Sequence, residues 1–114
     1  MWYDIPHIVE SAVSCLQYHI KRLFPEGDIM EIRIWKVPKS KDFPEGVKYS
    51  MVYIKVDENG AKRILGYDNE RGKGHHKHYF DKEEKIEFEG WNGLVRRFKE
   101  DVKKLRRDLY GYEG

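Results

Sequence analysis

The chain has 114 residues, a length typical of one domain with a single modest hydrophobic core. Its net charge is +2, from 22 basic and 20 acidic residues, so attraction for a polyanion must come from local clusters of charge. No apolar run is long enough for a membrane span or a signal peptide, and a lone cysteine excludes an internal disulfide. We therefore expect a single domain over residues 1–114 in a reducing cytoplasm.

Charged residues make up 37% of the chain, whereas Asn, Gln, Cys and Met are scarce. This composition is typical of proteins in which surface ion pairs replace thermolabile residues. It predicts a thermophilic source.

The first predicted element is an amphipathic helix from Asp4 to Phe24. Its apolar residues recur at three- and four-residue steps, Asp4 can cap its start, and Pro25 with Gly27 ends it. Cys15 lies on the apolar side of this pattern, where we expect a buried thiol. The apolar positions are Ile5, Ile8, Val9, Ala12, Val13, Leu16, Ile20, Leu23 and Phe24.

Antiparallel strands follow the helix. The first, residues 29–37, alternates with period two and places Met30, Ile32 and Ile34 on one side. After an exposed loop from Pro38 to Gly46, the further predicted strands are residues 49–56, 63–67 and 75–80, with a weaker fifth strand at residues 85–88. The Asn-Gly pair at residues 59–60 favours a tight hairpin between the second and third strands.

A second helix begins near Trp91. Its apolar positions are Leu94, Val95, Phe98, Val102, Leu105 and Leu109. The predicted fold is therefore α+β: an N-terminal helix, an antiparallel sheet of three to five strands, and a C-terminal helix packed on one sheet face. The other face would be free to bind a ligand.

One segment, residues 66–79, contains three of the five histidines among glycines and cations. His76 and His78 are two residues apart, so on a strand both imidazoles point to the same face, while His75 and Lys77 point to the other. One imidazole can accept a proton and the other can donate one, which is what RNA cleavage through the 2′-hydroxyl requires. We therefore predict a catalytic pair at His76 and His78.

Neighbouring side chains fit supporting roles at such a site. Lys73 and Arg71 could stabilise charge on the phosphate, Asp68 could orient a histidine, and Tyr67 could contact the nucleotide. The residues that we predict to bind nucleic acid outside the catalytic group are Lys77, Tyr79, Arg96, Lys99 and Lys103.

Plainer interpretations compete with these roles. The histidines could be tolerated polar residues on an exposed hairpin, or the His-x-His pair could bind metal with a third ligand from Asp68, Asp81 or Glu84. The segment Gly72-Lys73-Gly74 lacks the spacing of a nucleotide-binding P-loop, so we exclude triphosphate binding. We predict neither a metal nor another cofactor.

Charge is unevenly distributed near the C-terminus. Residues 91–110 contain seven cations and three carboxylates, and residues 81–89 contain five carboxylates and two lysines. A solvated helix with ion pairs between successive turns is the common origin of such a basic pattern, and a contribution to nucleic-acid binding is the alternative.

Most of the chain resembles the TumE family of toxins from toxin-antitoxin systems. The likeness covers residues 28–105 and lies in the segments Glu31–Pro38, Tyr49–Tyr53, Ile64–Glu70, Gly72–His76 and His78–Tyr79. In that family a strand ending in Gly-Tyr-Asp-Asn continues through Gly-Lys-Gly into a His-x-His element, an acidic stretch and a final helix. The resemblance implies a toxin, neutralised by a helix-turn-helix antitoxin encoded by a neighbouring gene.

We therefore expect a metal-independent endoribonuclease toxin with RNA as its substrate and no membrane partner. Three rivals stay open on the residues alone: a non-catalytic nucleic-acid- or ribosome-binding module, a protein-interaction domain, and a metal-dependent hydrolase. We also predict that the protein forms a homodimer.

Overall fold

In a computed structural model, which describes residues 15–70 and 73–111, six strands form one antiparallel sheet and a single helix packs against it. Each strand pairs with the next one along the chain, so the sheet is a meander in the order β1 to β6. The elements are β1 (Cys15–Leu23), β2 (Ile29–Lys36), β3 (Val47–Asp57), β4 (Gly60–Asp68), β5 (His76–Tyr79), β6 (Lys82–Lys85) and α1 (Trp91–Tyr110).

The hydrophobic core lies between one face of the sheet and α1. Ile32 of β2 is opposite Met51 of β3, which is opposite Tyr67 of β4, and all three side chains are buried. Met30 and Ile34 are also buried, which confirms the side of β2 predicted to face the core.

Helix α1 supplies the other half of the core. Leu94, Phe98, Val102 and Leu105 are all buried, and their spacing places them on one face of the helix. The helix ends at Gly111, whose left-handed φ of 78° lets its N–H bond the carbonyl of Arg107 at 2.7 Å. The α+β class and the C-terminal helix on one sheet face are confirmed.

The predicted N-terminal helix is wrong over residues 15–23, which form strand β1 along β2. Tyr18 and Ile20 pack against the core, whereas His19 and Lys21 are paired with β2 residues on the other face. This period of two competes with the helical period in the sequence, and pairing with the distant strand β2 decides between them. Cys15 is exposed, so the expected buried thiol is also wrong. The first part of the predicted helix, residues 4–14, lies outside the described residues.

The described sheet has six strands rather than the predicted three to five. Strand β1 is additional to the five predicted strands. The charged edge strand β6 takes the place of the weak fifth strand expected at residues 85–88. Ile86 and Phe88 follow β6 and pack against the core instead. Exposed charges suit an edge strand because they discourage pairing with another chain. The loop at residues 38–46 and the hairpin turn after Asp57 are confirmed.

A buried polar network joins the C-terminal end of α1 to the sheet. Asp28 is fully buried and accepts hydrogen bonds from the hydroxyls of Tyr53 at 2.6 Å and Tyr110 at 2.5 Å. Arg106 donates to the Tyr53 hydroxyl and pairs with Glu26, each at 3.0 Å. Burial would raise the pKa of Asp28, but the bonds from Tyr110 and Tyr53 hold that pKa below its ordinary value.

We expect Asp28→Ala to lower the free energy of unfolding by about 3 kcal/mol, because the hydroxyls of Tyr53 and Tyr110 and the backbone N–H of Val56 would lose their acceptor. The buried guanidinium of Arg106 would also lose the negative charge 4.0 Å away. Chemical denaturation measures this change. The exposed carboxylate in the same helix end provides the control, since Asp108→Asn should change stability by less than about 0.5 kcal/mol.

The contribution of the Asp28 charge should also depend on pH. Because the folded pKa is lowered, this contribution is present above the ordinary aspartate pKa of about 3.9 and is lost as the pH falls through the folded pKa. The stability difference between wild type and Asp28→Asn should therefore shrink below about pH 4. A difference that stays constant from pH 7 to pH 3 would contradict the assigned role of the charge.

Candidate functional site

Strand β5 sends its side chains to two different surfaces. Lys77 lies opposite Tyr67 on the face covered by α1, where its Nζ is 3.0 Å from Oδ2 of Asp101 in the helix. His76 and His78 lie opposite Asp68 and Gly66 and point to the other face. The structure therefore brings the two imidazoles to one face, as their spacing predicts.

We call the surface that carries these imidazoles the histidine face, and the surface against α1 the helix face. Two rows of paired residues cross the histidine face from β1 to β6. The first row is His19, Arg33, Ser50, Asp68, His76 and Lys85, and the second is Lys21, Glu31, Val52, Gly66, His78 and Glu83.

Carboxylates from both neighbouring strands approach the two imidazoles. Nε2 of His78 is 3.3 Å from Oδ2 of Asp68, and Oε2 of Glu83 lies 3.8 Å from Nε2 of His76 and 3.9 Å from Nε2 of His78. The imidazole side chains are 11% and 21% exposed, respectively. The histidines are thus mostly enclosed, with a carboxylate near Nε2 of each ring.

The contacts of each ring indicate where its proton lies. Nδ1 of His76 is 3.0 Å from the carbonyl oxygen of Gly74, and a carbonyl can only accept a hydrogen bond. In the neutral ring Nδ1 therefore carries the proton and Nε2 is the free base. In His78 it is Nε2 that faces the Asp68 carboxylate, so the proton on that ring belongs at Nε2.

The turn between β4 and β5 holds one of the predicted cations, Lys73. Lys73 is 60% exposed and its Nζ lies 3.6 Å from a carboxylate oxygen of Glu70. Its backbone N–H also bonds the Glu70 carbonyl at 3.0 Å. Arg71 lies outside the described residues.

Tyr67 does not reach the histidine face. It is only 1% exposed, its ring packs edge-on against Phe98 of α1, and its hydroxyl donates to Oδ2 of Asp101. Burial raises the pKa of Tyr67, and the bond to Asp101 raises it further, so the hydroxyl stays protonated. The structure thus separates Tyr67 from the other predicted catalytic residues that it describes.

The predicted nucleic-acid-binding residues also lie away from the imidazoles. Arg96, Lys99 and Lys103 line a cavity of about 340 Å³ beside β1 and α1, where Lys99 donates to the hydroxyl of Tyr18 at 3.3 Å. Tyr79 is half exposed at the end of β5 and contacts the ring of Phe80. Together with Lys77, these residues belong to the helix side of the sheet.

The sequence analysis missed several polar side chains near the imidazoles. In the sequence Glu83 is one of five carboxylates in an acidic stretch, and only its place opposite His78 puts it between the two rings. Lys48 and Arg63 line a shallow pocket of about 290 Å³ next to Asp68. The period-two alternation of β3 could have found Lys48, because it places this residue on the face opposite the buried Tyr49. Alternation alone would not find Arg63, which is paired with Ile54 only because the register of β3 and β4 shifts between Tyr53 and Ile54.

His75 has a different environment from the other two histidines in the segment. Its ring stacks between Tyr49 and Phe88, with centroids 5.7 and 4.8 Å away. Nδ1 lies 2.9 Å from the Tyr49 hydroxyl and Nε2 lies 3.2 Å from Oε1 of Glu45. These contacts tie the loop before β3 to the start of β5 and give His75 a positioning role.

No set of three or more His, Cys, Asp or Glu side chains is arranged to hold a metal within residues 15–70 and 73–111. In the same part of the chain, no helix combines the length and the apolar character needed to cross a membrane.

Comparison with known proteins gives one match. The family model described as Toxin TumE matches residues 4–106, which include all six strands, the histidine face and most of α1. No curated protein and no solved structure matches the chain.

We expect Tyr67→Phe to lower the free energy of unfolding by about 1 kcal/mol, since it removes the hydroxyl that bonds Asp101 in a buried setting. It should not impair function at the histidine face. The matched control is Tyr79→Phe on the neighbouring strand, for which we expect neither effect. Urea denaturation and growth arrest on expression measure the two properties, and a folded Tyr67→Phe protein as inactive as His78→Ala would contradict this placement.

Proposed function

This chain belongs to the TumE toxin family, and we propose that it arrests growth as a metal-independent endoribonuclease with its site on the histidine face. The toxin role follows from the family. The proposed ribonuclease activity rests on one observation: on the same face, Nδ1 of His76 lies against the carbonyl oxygen of Gly74 and Nε2 of His78 lies against the carboxylate of Asp68. In a neutral His76 the first contact leaves Nε2 as a proton acceptor, and the second contact suits a proton on Nε2 of His78. A base and an acid side by side fit the cleavage of RNA by its own 2′-hydroxyl.

In the proposed reaction, Nε2 of His76 takes the proton of the 2′-hydroxyl as the oxygen attacks the adjacent phosphorus. The bond from phosphorus to the 5′-oxygen breaks, and His78, acting as an imidazolium beside the Asp68 carboxylate, gives its Nε2 proton to that leaving oxygen and is left neutral. The products are a 2′,3′-cyclic phosphate and a free 5′-hydroxyl. Asp68 and Glu83 hold the protonated imidazoles in place through their carboxylates.

Charge that develops on the phosphate needs a cation nearby. Lys73 lies on the turn that leads into β5, and among the described residues its exposed ammonium group forms a surface ion pair with Glu70. We assign Lys73 to the stabilisation of the phosphate, with Arg71 from the same turn as its partner. Tyr67 has no part in this site because its hydroxyl is committed to Asp101.

A toxin of this family implies an antitoxin partner. We propose a helix-turn-helix antitoxin encoded by the neighbouring gene, with the cytoplasm as the place of action. A homodimer is also proposed, and sedimentation of the pure protein would test it.

The enclosure of the imidazoles favours a second candidate function. Side chains that are 11% and 21% exposed leave little room for a reacting phosphate. A module that binds RNA or the ribosome without cutting would need no such access, and it would act stoichiometrically rather than with turnover.

The first test is incubation of the pure protein with labelled total RNA and tRNA in the presence of EDTA. We expect discrete fragments from wild type and a loss of about 10²–10⁴-fold in rate for His76→Ala or His78→Ala, the usual contribution of a general acid or base. His19→Ala is the matched control, because His19 lies on the same face but on the distant strand β1.

Circular dichroism should show that each variant is folded, and His78→Gln offers a polar replacement if alanine disturbs the strand. Intact RNA after incubation with wild type, or fragments from the double alanine variant at the wild-type rate, would refute the proposed activity. RNA that is bound but not cut would favour the non-catalytic module.

A further inference from the structure

We infer that the histidine face binds single-stranded RNA across strands β2 to β5, with one nucleotide in the pocket between Lys48 and Arg63. This inference rests on the proposed function, since it assigns the substrate path to the same site. Neither Lys48 nor Arg63 is among the site residues predicted from the sequence.

The pocket lies directly beside the proposed catalytic residues. It has a volume of about 290 Å³, and Asp68 both lines it and approaches Nε2 of His78 at 3.3 Å. Ser50, which is paired with Asp68 in the first row, supplies a hydroxyl to its wall. A nucleotide in this pocket would therefore be next to the bond that the imidazoles are proposed to cut.

The Arg63 side chain, which lines the pocket, lies across Gly66 in space that a side chain at Gly66 would occupy. A Cβ atom at Gly66 would lie 3.1 Å from Cδ and 3.3 Å from Nε of Arg63, so the arginine lies flat where any other residue would crowd it. Gly66 is itself the residue opposite His78. The guanidinium thus lies over Gly66, the residue paired with His78.

Lys48 and Arg63 lack the carboxylate partners that other cations near the site have among the described residues. Both are exposed, and neither forms an ion pair with another described residue, whereas Lys73 and Lys77 are paired with Glu70 and Asp101. The carboxylates of Asp68 and Glu70 also line the pocket, but neither lies within ion-pair distance of Lys48 or Arg63, so both cations can bind a phosphate. An arginine can do so through two parallel hydrogen bonds.

An aromatic platform extends the path towards β2. Trp35 is paired with Lys48, whose Nζ lies 5.7 Å from the indole ring centroid. The half-buried indole lies three strand spacings from β5, or about 14 Å. Unpaired bases stack on such rings, whereas bases inside a duplex cannot reach them. This favours a single strand over a duplex as the ligand.

The test measures binding without cleavage, in the His76→Ala/His78→Ala protein, with a labelled single-stranded RNA of mixed sequence. We expect Lys48→Ala and Arg63→Ala each to weaken binding by about tenfold and to reduce the salt dependence by about one phosphate contact. Gly66→Ala should weaken binding too, because it displaces Arg63 without removing a charge. Lys62→Ala is the matched control, since Lys62 is an exposed cation adjacent to Arg63 in β4.

Variants of Lys48 and Arg63 that bind as tightly as the Lys62→Ala control would overturn the inference. Equal binding of duplex RNA, or of a DNA strand of the same sequence, would overturn single-stranded RNA as the ligand. Different results would refute the inference and the proposed function. RNA that binds through Lys48 and Arg63 but is never cut by wild type refutes only the ribonuclease, whereas cleavage with unchanged binding in these variants refutes only the path.

Discussion

A strand directs alternate side chains to opposite faces of its sheet, and helix α1 occupies one face of this sheet. Because of this alternation, the side chains of residues 75–78 lie on two different faces of the sheet. His75 and Lys77 contact the core and the helix, which fixes β5 against the rest of the fold. His76 and His78 are left to the opposite face, where Asp68 and Glu83 approach them. Core packing on one face thus positions the proposed chemistry on the other.

Much of the fold could be predicted because local patterns agree with the final structure. Strand β2 alternates cleanly, and α1 repeats its apolar residues with helical spacing. Strand β1 could not be predicted, because Ile20 fits a helical stripe and a strand face equally well, and only pairing with the distant β2 decides. Strand β6 was missed for a different reason: its sequence, Lys82–Lys85, is entirely charged and shows no hydrophobic pattern.

The candidate site was predictable where it depends on spacing within one strand. The common face of His76 and His78 follows from two-residue spacing alone. The proximity of Glu83 and Arg63 depends on strand register and on a missing side chain at Gly66, and neither appears in a local motif. Tyr67 illustrates the opposite error, since it adjoins the site in sequence but alternation sends it into the core.

The most direct test of the claim that the histidine face is the functional surface is photo-crosslinking to RNA that contains 4-thiouridine, followed by mass spectrometry of the attached peptides. The account predicts crosslinks to residues of β2 to β5 on the histidine face, with Trp35 as an aromatic acceptor near the pocket. Crosslinks confined to α1, around Arg96, Lys99 and Lys103, would place the nucleic acid on the helix side and contradict the account.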